Sequence, residues 1–584
     1  MSVLRLLLRH ALAILLPLAL TSTLYLYLYP VFHGCAFPLP EDSSSSHHSI
    51  PHLSPPFLST LRHHLSPSPP PPASTSTSSP IFRLLVLADP QLEGDTSLPK
   101  PHDQLPAKLS NYYADLSSTL RTQPPSATLY TLRSVLRSLI STDLPRAFRA
   151  ARKRLDLLGN DYYLAHIYRT MHWWSAPSHV TVLGDLVGSQ WVSDGEFEER
   201  GRRYWERVFR GGVRVEDEIT GEMGTEVLGT DNGEWERRVV NIVGNHDVGY
   251  AGDASPSRIE RFERVFGKGD WDVKFTLPSE GQEGEEEEEE EEEEQQGDAP
   301  TIHLINLNSL VLDTPALAPE VQSATYEYLN GLLDERSPSV TSSSRGKTFT
   351  LLLTHLPLHK KEGICTDAPF FAFHDDDDSK GDADGNPRFY AGGLKEQNHL
   401  SQYASANAVL EGIFGMSGDE TVPGNGWGRK GLILTGHDHT GCDVVHYVNR
   451  TVAAEADDDG DNDNEDGGKA RGWEWDAMRY KPGTTREGDL GVPAIREVTM
   501  RSMMGEYGGY AGLLSVWFTG SEWKYEIQMC AAGVQHLWWA VHVVDVITLG
   551  LVVLYSTILT CEWWSIGISA GKDTKKADKK IKKQ

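Results

Sequence analysis

Five short apolar runs in this chain each stop on a side chain of metal-binding type. Residues 81–88 run into Asp89-Pro90-Gln91, and residues 179–183 into Gly184-Asp185. Residues 239–243 run into Gly244-Asn245-His246-Asp247, and residues 348–353 into Thr354-His355. Residues 431–434 run into Thr435-Gly436-His437-Asp438-His439. Runs this short, apolar and branched read as buried strands, and the glycines after them as sharp turns. In open α/β sheets, ligands bind just beyond the carboxyl ends of strands. One such ending means little, because Gly-Asp after a strand is common and a lone His is more often a satisfied core residue. Five in one chain ask for strand ends that converge on one site.

The intervals between these runs suit an α/β domain spanning 81–530. Residues 144–174 and 194–209 carry apolar and charged residues at helical spacing, as crossover helices do. Residues 258–266 and 397–414 read as further helices. Residues 301–312 read as a strand without a terminal ligand, and 494–500 and 513–518 as closing strands.

The chain has 584 residues and a formal charge of −28. That charge weighs against a nucleic-acid partner, since phosphate binding needs a basic surface. Ten of the negative charges are the unbroken glutamates 285–294. The segments 279–298 and 455–468 read as solvated acidic insertions in loops between strands. Five cysteines in so long a chain do not make a disulfide scaffold. Cys365 and Cys442 each follow a ligand segment. They read either as a bridge, in an oxidising compartment, or as two buried thiols.

Both ends are apolar. Residues 1–10 contain Arg5 and Arg9, and residues 11–32 are uncharged and long enough to cross a bilayer. With no small-x-small cleavage site apparent, an uncleaved anchor is expected rather than a signal peptide. Residues 33–80, rich in Ser, Pro and His, read as a flexible stalk. Residues 537–561 form a second span interrupted only by His542 and Asp545. An ionisable residue there can mark function; near the helix end, Asp545 reads equally as a paired group or as one facing the interface. The tail 562–584 is lysine-rich, which by the positive-inside rule puts both termini in the cytoplasm and the large domain across the membrane. Asn449-Arg450-Thr451 is a sequon that such a domain would expose.

Carboxylate, amide oxygen and imidazole together suit borderline divalent ions such as Mn2+, Fe2+ or Zn2+. No thiolate is among them, unlike a structural zinc site. Asp185 is the natural bridge between two ions. Two ions roughly 3.5–4 Å apart clamp a phosphoryl group and activate a shared water for in-line attack. His246 beside them would protonate the leaving oxygen or stabilise developing charge, with Asp247 orienting it. His437 and His439, two apart, would point the same way in an extended segment. Trp173, Trp174 and Trp191 read as core packing or as sugar-stacking surfaces.

In the order D…GD…GNHD…H…GHxH, this set resembles the calcineurin-like metallophosphoesterases over roughly residues 81–515. The resemblance implies an α/β fold of four layers (αββα), with two mixed sheets face to face and helices outside, here flanked by the membrane helices read at both ends of the chain. It implies that Asp89, Asp185 and His439 hold one metal, that Asp185, Asn245, His355 and His437 hold another, and that His246 is catalytic. The family's first motif is Asp-x-His; here Gln91 stands in place of the His.

The membrane-bound branch that remodels glycosylphosphatidylinositol (GPI) anchors is more similar still. The similarity lies in Leu183-Gly184-Asp185-Leu186, a helix start at Gln397-Asn398 and Leu400-Ser401, Gly436-His437-Asp438-His439 followed by Cys442, and Glu497-Val498-Thr499. Lys580-Ile581-Lys582-Lys583-Gln584 looks like a dilysine retrieval signal, or is simply a basic juxtamembrane tail. The resemblance implies removal of ethanolamine phosphate from a GPI mannose by two divalent ions, Mn2+ foremost with Fe or Zn as alternatives. It implies an endoplasmic reticulum membrane protein with a lumenal domain, cycling to the Golgi. Its partners would be GPI glycolipid, GPI-anchored proteins and export cargo receptors. The alternatives are another phosphoester substrate and a non-catalytic trafficking factor.

Overall fold

The computed structural model describes residues 3–39, 60, 80–94, 98–221, 224–229, 233–278, 299–336, 345–375, 381, 387–450, 472–482, 490–505 and 508–581, the last of these from 565 onward by backbone alone. Both acidic insertions and most of the expected stalk lie outside the described residues.

The strands in chain order are β1 (Phe82–Leu87), β2 (His179–Val182), β3 (Val213–Arg214), β4 (Thr225–Val227), β5 (Arg238–Asn241), β6 (Trp271–Thr276), β7 (Thr301–Leu307) and β8 (Thr348–Thr354). They continue with β9 (Phe371–Phe373), β10 (Leu394–Gln397), β11 (Lys430–Thr435), β12 (Cys442–Asn449), β13 (Glu474–Arg479), β14 (Ala494–Thr499), β15 (Gly509–Phe518) and β16 (Trp523–Gly533). One sheet has the order β16-β15-β1-β2-β5-β3, the other β13-β12-β14-β11-β8-β7-β6-β4, and β9 pairs with β10. Both sheets are mixed. In the first, β1, β2 and β5 are parallel neighbours; in the second, β7, β8, β11 and β14 are.

Strand β1 shows how the layers form, because successive side chains point to opposite faces. Phe82, Leu84 and Val86 join Val273, Ile302, Leu351 and Leu432 of the other sheet in one core. Leu85 and Leu87 join Leu164, Ile167 and Met171 of the helix Leu144–Ser175. In the second sheet, Ile305, Leu352 and Ile433 pack with Leu329 and Leu332 of the helix Pro319–Arg336. The sheets thus share a core and each carries helices on its other face. Parallel strands covered on both faces explain the near-continuous apolar runs of the sequence.

The structure differs from the sequence reading in three places. The strand expected over 301–312 ends at Leu307 and gives way to a 3-10 turn, Ser309–Val311. The helix expected from 397 starts later: Gln397 closes β10, and a π-helix occupies Ala404–Ile413. Residues 33–39, assigned to the stalk, begin by packing on the domain. Cys35 is bridged to Cys530 at the end of β16, and Phe37 is buried in the core.

Helices Val3–Tyr27 and Gln535–Trp564 are each long and apolar enough to cross a membrane. They run antiparallel side by side. Arg5 pairs with Glu562 at 2.9 Å, and Thr23 Oγ1 donates to Asp545 at 3.0 Å. Asp545 is therefore a paired group.

Candidate metal centre

Every expected ligand sits just past the C-terminal end of a parallel strand. Asp89 follows β1, Asp185 follows β2, Asn245 follows β5, His355 follows β8, and His437 and His439 follow β11. The first sheet gives three of these strand ends and the second gives two. The site therefore lies where the two sheets meet along one edge, as strand-end chemistry requires.

Two glycines let the loops come this close. A Cβ on Gly184, which holds φ +85°, would lie 2.3 Å from His355 Nδ1. A Cβ on Gly244 would lie 2.0 Å from the Asp185 amide nitrogen.

The ligand atoms gather into two groups that share Asp185. Asp89, Asp185 and His439 form one, and Asp185, His355 and His437 the other, with the ligand atoms of each group within 4.8 Å of one another. Asn245 belongs to the second: its Oδ1 lies 2.9 Å from His355 Nε2 and 3.0 Å from His437 Nδ1. The other ring nitrogens face main-chain carbonyls, His355 Nδ1 that of Leu183 and His437 Nε2 that of Gln397. Those carbonyls accept the ring N–H and leave His355 Nε2 and His437 Nδ1 as the atoms that could face an ion. Gln397 is held extended by the pairing of β10 with β9. His437 and His439 do not share an extended segment: His437 holds φ 70°, and the two rings turn to different groups.

The electrostatics fit divalent cations. Burial, reinforced by Asp185, pushes the Asp89 carboxyl well above the usual carboxylate range. Asp89 is fully buried, and its Oδ2 has no hydrogen-bond partner among the described residues. Burial would raise Asp185 too, but His355, His246 and His437 outweigh it and hold that carboxyl low. Burial, then His355, lowers His437 to about 3, so its imidazole is the neutral, ligating form. Buried carboxylates crowded against neutral imidazoles, one with an orphaned oxygen, are the donor set that a dication completes.

Gln91 lies at the first group. Its side-chain nitrogen is 3.1 Å from Asp185 Oδ2 and 3.2 Å from His439 Nε2. Half a turn of the amide would present Oε1 in the same place. His246 stands on the open side: its side chain is 40% exposed, with Nε2 3.8 Å from Asp185 Oδ2, and its main-chain N–H donates to Asp185 Oδ1 at 2.8 Å. Asp247 was expected to orient that ring. Its two oxygens instead accept from the main-chain N–H groups of Val187 and Gly244, both at 2.9 Å, which ties the turn after β5 to the loop after β2.

Two supports lie outside the expected ligand set, and of their residues only Glu497 belonged to a motif of the sequence. Ser502 Oγ donates to the Asp89 carbonyl at 3.0 Å. Lys360, fully buried, pairs with Glu497 at 3.1 Å. Glu497 also accepts from the Leu358 N–H at 3.1 Å and meets His446 Nε2 at 2.5 Å. This brace anchors the loop that carries His355. Of the tryptophans, Trp174 donates to the Tyr27 carbonyl, and Trp173 and Trp191 are exposed rather than core residues. Arg258 stacks over Trp191.

Protein TED1 of Saccharomyces cerevisiae is 31% identical over 441 residues, covering 68% of this chain and 77% of the yeast protein. The chain belongs to the calcineurin-like metallophosphoesterase superfamily. An uncharacterised Schizosaccharomyces pombe protein is 28% identical over 302 residues, 50% of this chain and 57% of that one. Metallophosphoesterase 1 of Danio rerio is 24% identical over 333 residues, 56% of this chain and 69% of its own length. No protein-family model matches the chain. The metallophosphoesterase relatives imply divalent-metal binding, and the two groups around Asp185 are the candidate ligand sets for it.

Proposed function

We propose that this protein is a metal-dependent phosphodiesterase that removes ethanolamine phosphate from a mannose of GPI anchors in the endoplasmic reticulum, aiding export of GPI-anchored proteins. The observation that carries the chemistry is the pair of ligand groups sharing Asp185, with His246 beside them on the open side. In this reading the fold is the superfamily's four-layer sandwich. Asp89, Asp185 and His439 would hold one divalent ion and Asp185, Asn245, His355 and His437 another, Mn2+ foremost, which would supply positive charge for the phosphoryl oxygens and lower the pKa of an attacking water. His246 donates the proton that the mannose oxygen needs as its bond to phosphorus breaks. Asp185 fixes the His246 main chain by accepting its backbone N–H, which holds that residue at the edge of the centre.

The location has its own support. Two disulfides, Cys35–Cys530 and Cys365–Cys442, fit an oxidising lumen. Two antiparallel spans would hold the site beside a glycolipid of the same membrane, which raises the effective concentration. Gln91, standing where the family has His, favours a second reading, a phosphoesterase acting on another phosphoester.

Mass spectrometry of GPI glycans from cells carrying the wild-type chain or Asn245→Ala separates the two readings, with expression and location matched. Loss of one electrostatic anchor at such a centre lowers activity by about 10²–10³-fold, so ethanolamine phosphate should accumulate on one mannose in the variant. Unchanged glycans would reject the GPI substrate.

A further inference from the structure

Between β1 and β2 the chain makes a helical excursion whose exposed face has the character of a membrane surface. Helix Leu105–Thr122 is followed by Pro125–Ser138, a π turn at Leu139–Asp143, and Leu144–Ser175. The helices Leu105–Thr122 and Pro125–Ser138 bury no residue. Leu129, Leu136, Ile140, Phe148, Leu155 and Tyr162 are each 45–73% exposed. They recur at intervals of four, seven and eight, which places them along one helical face. In a water-soluble protein a stripe of large apolar groups this long marks an interaction site.

The fold says what lies against it. Helix Leu144–Ser175 lies across the domain-side ends of both apolar terminal helices. The Tyr27 ring meets His166 edge-on, and the Tyr27 carbonyl accepts from Trp174. Gln535 donates to Asn160, Tyr163 meets Trp538, and a Cβ on Gly159 would strike the Trp539 ring. Exposed Leu158, Tyr162 and Trp173 immediately precede Gly159, Tyr163 and Trp174, which make those contacts. The exposed stripe therefore borders the face packed on the spans. Charge agrees: residues 101–158 hold nine Lys and Arg against four Asp and Glu, a net charge of +5 in a chain of −28.

We propose that this excursion lies in the headgroup layer of the membrane that the terminal helices cross. Its apolar stripe enters the acyl boundary and its arginines sit among the lipid phosphates. The proposal rests on the reading of those helices as spans. It adds a third attachment, which joins the strand end bearing Asp89 to the lipid surface and fixes the height of the metal centre above it.

The test uses the full-length protein with Cys561→Ser, which leaves only disulfide-bonded cysteines among those described. Phe148→Cys and Leu155→Cys each take an environment-sensitive fluorophore, in nanodiscs of phosphatidylcholine and phosphatidylserine. Val546→Cys, in the second apolar helix, and Lys524→Cys, at the far end of β16, are the references. The proposal expects the labels at 148 and 155 to be quenched by nitroxide lipids and shielded from aqueous iodide, as at 546. Labels at 148 and 155 that respond as at 524, with 546 quenched by lipid, overturn the proposal alone. A label at 546 that also responds as at 524 overturns the spanning reading and this proposal with it.

Discussion

Asp89, Gln91, Asp185 and His437 all hold positive φ, at 51°, 42°, 52° and 70°. Left-handed backbone costs a residue with a Cβ roughly 1–2 kcal/mol, and it persists where the surroundings over-determine it, most often at functional sites. The conformation turns the chain sharply off its strand and brings each side chain back to the centre. Gln91 is the residue at which chemistry and family pattern part. Gln91→His would put an imidazole where the amide now meets Asp185 Oδ2. Affinity for one of the two ions should then rise by about tenfold or more, within the range that neighbours of metal ligands command, read as the chelator concentration needed to strip it. An unchanged chelator profile would mean that position 91 does not face an ion. The ligands themselves were legible because each follows an apolar run directly. Asp247 was placed correctly but given the wrong neighbour, since nothing local says that its oxygens reach back to Val187.

Among the elements, the brace under β8, β11 and β14 invites the sharpest test. Glu497, Lys360 and His446 are buried together, and removing one partner of a buried pair costs about 3–5 kcal/mol. Lys360→Met should destabilise the domain on that scale, and adding Glu497→Gln should recover a good part of it. If the double variant is no more stable than the single one, the pair is not the unit assumed. Burial would raise the Glu497 carboxyl, but Lys360 and His446 outweigh it and hold it down to about 2. A depressed carboxyl stabilises the fold above its unfolded value, about 4.3, and that stability is lost as pH falls through the folded value. Chemical denaturation between about pH 4.5 and 2 should therefore show a loss that Glu497→Gln lacks. The parallel strands and crossover helices were legible from periodicity. The late start of the helix after Gln397 was not, because β10 is held extended by its pairing with β9, which no local pattern announces.

For the whole molecule, the cysteines and the site make separate claims. Cys35 and Cys530 stand 495 residues apart, so no local pattern could pair them. Peptide mapping without reduction should return Cys35–Cys530 and Cys365–Cys442, with Cys561 alone alkylated in the native chain. Alkylation of all five before reduction would contradict both the bridges and the oxidising location they support. The central claim is that two sheets bring their strand ends to one centre in which Asp185 serves two ions. Metal content of the purified full-length protein, by elemental mass spectrometry at matched folded fraction, tests this most directly. The wild-type chain should carry two divalent ions, His439→Ala about one, and Asp185→Ala neither. A single ion in the wild type, or two retained by Asp185→Ala, would contradict it.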